Sequence, residues 1–88
     1  MDDKVIPKKE ERLWKDMKGI DVATNNARLL GELDELIVNK RTGKIVDIVV
    51  RMGEDSNIII KGARRKDNFL LIPFAKVEKV GDFIIVTE

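Results

Sequence analysis

The side chains best suited to chemistry in this 88-residue chain are an adjacent carboxylate pair, Asp34-Glu35, and two groups of cations. One group is Lys40, Arg41 and Lys44; the other is Lys61, Arg64, Arg65 and Lys66. Two carboxylates could move protons or hold a hard cation. Neighbours on a regular strand point to opposite faces, however, so only a β-bulge could bring these two together. With no evident third ligand, they read as surface acids. The cations could neutralise phosphates, with an affinity that falls as salt rises. Asp47, Glu54, Asp55 and Asp67 dilute both groups, and a chain with 5% aromatic residues and no Tyr has little on which to stack bases.

The absences narrow the chemistry further. Without Cys there is no disulfide, thiolate nucleophile or thiolate metal site, and without His the usual acid-base group and the commonest metal ligand are missing. The expectation is a protein that is not an enzyme, with no catalytic residue, no cofactor and no metal. Seventeen basic residues against sixteen acidic ones give a net charge of +1, too small for a global field that attracts nucleic acid or acidic lipid. The charged Met1 to Glu11 stretch has no apolar h-region and no run of 18 apolar residues occurs, so a cytoplasmic protein without direct membrane insertion is expected.

The elements that must position these groups divide the chain into an extension, 1–17, and one domain, 18–88. In the extension, Pro7 suits a first helical position, and Leu13, Trp14 and Met17 share one side of a short helix. Such a helix is marginal by itself and needs a surface to lie on. From Lys18 onward the signals are those of strands. Gly19 to Thr24 alternates, and Asn25-Asn26 supplies residues tolerant of a left-handed turn. In Arg28 to Asn39, Leu33 lies in one phase and Leu36 and Val38 in the other; a bulge at Asp34-Glu35 turns all three inward.

Lys40 to Gly43 reads as a polar turn, so Lys44 to Arg51 returns antiparallel, with Val46, Ile48 and Val50 on one face and Ile45 and Val49 on the other. Hydrophilic breaks at Gly53 to Asn57 and Lys61 to Asn68 flank Ile58-Ile59-Ile60, which cannot all face one core. Phe69 to Ile72 is a strand stopped by Pro73, Phe74 to Val77 a single turn, and Gly81-Asp82 a hairpin loop before Phe83 to Val86. About six short β segments imply an all-β, small closed or partly open barrel with a short N-terminal helix.

In this order, Gly19-Ile20-Asp21-Val22, Asn25-Asn26, Leu30 to Leu36, Leu71-Ile72-Pro73-Phe74 and Val80-Gly81-Asp82 resemble the PRC-barrel family over roughly Lys18 to Val86, most closely its stand-alone archaeal type. Glu35 departs from the pattern, which usually has an apolar residue there. The resemblance implies a docking module and carries over no catalytic residue; some stand-alone members link proteins at the archaeal division site.

Ile45, Val49 and the spare member of Ile58-Ile59-Ile60 are expected to remain once one barrel face is filled. A contiguous patch of that kind marks an interface, unless Leu13, Trp14 and Met17 cover it as a lid. The sequence therefore predicts a non-enzymatic adaptor that docks on protein partners and on a second copy as a homodimer, through Leu13, Trp14, Met17, Ile45, Val49, Ile58, Ile59 and Ile60. A scaffold in archaeal cell division is its sharpest form. The rival is an RNA- or ribosome-associated maturation or processing factor that binds through Lys40, Arg41, Lys44, Lys61, Arg64, Arg65 and Lys66.

Overall fold

The computed structural model describes residues 17–53 and 56–88. Within them lie β1 (Asp21–Thr24), β2 (Leu29–Val38), β3 (Ile45–Met52), β4 (Arg64–Lys66), β5 (Phe69–Pro73), β6 (Val77–Val80) and β7 (Ile84–Val86), with a 3₁₀ turn at Phe74–Lys76. The strands form a single sheet in the order β4-β5-β3-β2-β1-β7-β6. Neighbours run antiparallel except β1 and β7, which are parallel. The end strands β4 and β6 are not paired with each other, so the barrel is partly open.

One face of this sheet supplies a contiguous core of Val22, Leu30, Leu33, Ile48, Val50, Leu70, Ile72, Ile84 and Val86, joined by Ile45, Met52, Ile60 and Phe74. Each such aliphatic side chain withdrawn from water contributes about 1.5–3 kcal/mol, and the sheet curls because only a curved surface buries all of them at once. The segment Ile58 to Ile60 is not a strand but lies over the gap: Ile60 is in the core, Ile58 packs against it, and Lys61 N–H reaches Glu88 O at 3.4 Å.

The expected bulge is present. Leu33 lies opposite Val50 and Glu35 opposite Val49, so Asp34 is the extra residue, and both Leu33 and Leu36 reach the core. Val38 keeps the phase of Leu36 but stays 45% exposed, because it lies beyond the last residues paired by β1 and β5; a second register shift places Ile37 opposite Asp47 but Val38 opposite Ile45. That shift skips Val46, reverses the phase at the start of β3, and sends Ile45 inward while Val46 stays 46% exposed. The assignment of Val46 inside and Ile45 outside is therefore corrected, and the physical reason is a bulge without a signature in residue type.

Other turns follow local chemistry. Asn39 Oδ1 accepts from the N–H groups of Arg41 and Thr42, and Gly43 takes φ 74°, closing the β2–β3 hairpin. Thr24, almost fully buried, accepts on its Oγ1 from the N–H groups of Asn26 and Arg28, each at 3.2 Å. The left-handed residue of that turn is Ala27, at φ 62°, rather than either asparagine. Lys61 to Asn68, expected as a break, contains β4, paired with β5 from Arg64↔Leu71 to Lys66↔Phe69. The loop between β6 and β7 holds three residues, Gly81 to Phe83, instead of two. The proposed N-terminal helix lies outside the described residues.

Candidate functional site

The β2–β3 hairpin runs past its neighbours. β1 pairs only with the Leu29 to Glu32 end of β2, and Ile20 and Gly19 extend the contact to Leu33. On the other side β5 pairs with β3 no further than Asp47. Glu35 to Val38 and Ile45-Val46 therefore form a two-stranded arm of about 13 Å, from a rise of roughly 3.3 Å per residue. Its end carries Ile37, Val38 and Val46, exposed by 37, 45 and 46%. The turn beyond them carries exposed Lys40 and Arg41, with Lys44 half-buried beside it. An apolar end with charges of both signs around it suits a protein surface better than a small molecule.

The anticipated interface residues are scattered by the fold. Leu13 and Trp14 lie outside the described residues, and Met17 is half-buried against the core. Ile45 and Ile60 belong to the core, and Ile58 packs on it. Val49 faces outward, opposite Glu35 and Leu71, yet is only 7% exposed. Of the expected surplus, Ile45 and Val49 are thus largely taken up within the subunit, and the spare member of the triplet is neither Ile58 nor Ile60. Ile59 alone of the triplet stands clear, at 84% exposure. Ile37, Val38 and Val46 were missed as candidates, because alternation assigns Val38 and Val46 to the interior and no residue type announces the second bulge.

The cations are also spread out. Lys40 and Arg41 cap the β2–β3 hairpin, while Arg64, Arg65 and Lys66 form β4 at one end of the sheet and Lys61 precedes it. Arg64 keeps its side chain 72% exposed while its Nη2 lies 3.4 Å from Oδ2 of Asp47, a mostly buried carboxylate. Arg65 donates to the main-chain oxygens of Ser56 and Asp67, at 3.0 and 3.2 Å, which ties β4 to the covering segment. Lys66 remains exposed.

Elsewhere an ion pair has a structural role. Arg28 grips the Glu88 carboxylate with two donors, Nε at 2.9 Å from Oε2 and Nη2 on Oε1. Hydrogen bonding from Arg28, aided by Thr24, lowers the Glu88 pKa from 4.5 to about 2. Glu88 N–H also donates to Asn25 Oδ1 at 3.0 Å, so the group pins the end of the chain to the β1–β2 turn. Among the described residues no cluster of three His, Cys, Asp or Glu could hold a metal ion, and no helix is long and apolar enough to cross a membrane.

Against this geometry, the model of the PRC-barrel domain family matches residues 9–88. No curated protein matches the chain.

Proposed function

This chain belongs to the PRC-barrel domain family, and on that premise we propose that it is a non-enzymatic docking module that binds proteins through the end of its β2–β3 arm. The observation that carries this reading is the exposure of Ile37 and Val38, on opposite faces, and of Val46, on strands that extend past both neighbours. Burying those three would withdraw aliphatic surface from water, while Lys40, Arg41 and Glu35 at the border would set orientation and on-rate. Exposed Ile59 offers a second apolar contact. A family of interaction modules supports the reading, and the scarcity of aromatic side chains for base stacking weighs against the RNA-associated alternative. The specific form is a cytoplasmic adaptor in archaeal cell-division assembly, which rests on family analogy alone.

The test compares affinity capture from native cell extract by the wild-type chain and by Val46→Asp, with RNA binding of both measured at two salt concentrations. Nuclease-resistant protein capture that is lost in Val46→Asp is the expected result. Salt-steep RNA binding, abolished by Arg64→Glu with Arg65→Glu and untouched by Val46→Asp, would overturn the reading.

A further inference from the structure

Among the described residues the sheet leaves β4, β6 and both sides of the arm unpaired, the β3 side of the arm over only Ile45-Val46, and these edges are protected unequally. β4 ends one side with Arg64, Arg65 and Lys66, all exposed, and spans only three residues. β6 ends the other with exposed Glu78, Lys79 and Val80, interrupted by a register shift. Charge, shortness and bulges are the usual devices that keep an edge from pairing with another chain. The longer side of the arm is its share of β2, Glu35-Leu36-Ile37-Val38, which carries three successive aliphatics, no Pro and no cation.

Its main-chain groups point in a definable direction. Leu33 uses both of its groups toward the β1 side, donating to Ile20 O at 2.9 Å and accepting from Gly19 N–H at 2.7 Å. Beyond the extra residue Asp34, Glu35 and Ile37 lie opposite Val49 and Asp47, and Asn39 N–H donates to Lys44 O at 2.8 Å. Groups on a strand alternate sides, so those of Leu36 and Val38 are turned away from β3. No described strand meets them there.

We propose that this edge pairs antiparallel with the same edge of a second copy, about a two-fold axis through Ile37. The inference rests on the docking reading and names the occupant of the arm. In this register Leu36 exchanges both hydrogen bonds with Val38 of the partner subunit, and Val38 does the same with the partner's Leu36. Ile37 packs on the partner's Ile37, with Val46 beside it. The charges complement themselves, because the segment runs acidic, aliphatic, basic: Asp34 lies across from Lys40 of the partner subunit, and Glu35 across from the partner's Asn39. A shift by one residue would turn the outward groups of one strand away from those of the other, so the register is specified by backbone direction as well as charge.

The experiment is sedimentation equilibrium of the purified full chain from micromolar to millimolar concentration, with thermal unfolding of each variant as a check on the fold. The wild type is expected to dimerise reversibly. Ile37→Lys faces two ammonium groups across the axis and should leave a folded monomer. Lys40→Glu replaces both flanking attractions by repulsions and should weaken the dimer about tenfold; adding Asp34→Lys should restore it. A wild type that is monomeric throughout overturns the proposal, as does a dimer indifferent to Ile37→Lys or a double variant no tighter than Lys40→Glu. A monomer that still captures protein in a Val46-dependent way sinks the self-pairing and leaves the docking reading standing. A monomeric wild type that also owes its stability to Leu13 and Trp14 assigns the edge to the chain's own extension, and likewise refutes it.

Discussion

Replacing Gly31 with Ala should damage this fold more than any other single added methyl on a glycine. A Cβ at that position would stand 2.0 Å from Arg51 O, 2.9 Å from Arg51 C and 3.1 Å from Met52 Cα. All three are backbone atoms of β3, paired to β2 through Gly31↔Met52 and Glu32↔Arg51, so no side chain can rotate out of the way. Relief requires the two strands to separate where the core residues Leu30, Leu33, Val50 and Met52 are seated. The upper part of the range for overpacked sites, about 3 kcal/mol, is the appropriate magnitude. Against a total of roughly 4–13 kcal/mol for a domain of this length, that is a large fraction. It corresponds to a fall in Tm of about 12–24 °C. Thermal and denaturant unfolding followed by circular dichroism would measure it. Gly43→Ala is the control: nothing lies within 4 Å of its Cβ, and only its φ of 74° is strained. That should cost about 1 kcal/mol. Equal losses in the two variants, or a Gly31→Ala protein melting within about 4 °C of wild type, would refute the steric argument.

Two further outcomes follow from side-chain placement. Val49→Asp puts a charge at a site only 7% exposed, so it should lower the unfolding midpoint sharply, whereas Ile59→Asp, at 84% exposure, should leave it unchanged; equal melting curves would contradict the burial described. Glu88 has a folded pKa depressed from 4.5 to about 2, so its tie to Arg28 stabilises the fold fully above pH 4.5 and is lost as pH falls from there toward 2. In Glu88→Gln the melting temperature should decline less steeply across that window, and parallel acid limbs in the two proteins would show that the pair contributes nothing.

The order and approximate limits of most β elements were legible in residue types, although β4 fell in an expected break and made seven strands of about six. Alternation marks β1, Pro73 ends β5, Gly43 closes a hairpin, and the mismatch between Leu33 and Leu36 betrays the bulge at Asp34. These are local facts, set by backbone sterics and by the two-residue period of a strand. The family match over residues 9–88 agrees with the resemblance those segments carry.

What tertiary structure decided is which apolar residues are left outside. Alternation on β3 ranks Val46 with Ile48 and sets Ile45 apart, but the second register shift exchanges them, and only the pairing of β2 with β3 shows it. The same pairing makes an arm, since whether a strand outruns its neighbours depends on where those neighbours stop. Arg64 and Arg65 look in sequence like a free basic loop; in the sheet one reaches Asp47 and the other a carbonyl on the segment that covers the gap. Composition and spacing determined that this chain makes a small β-barrel with neither Cys nor His. Exposure, edges and partners belong to long-range contacts, because a side chain's access to water is set by what packs beside it and not by its own identity.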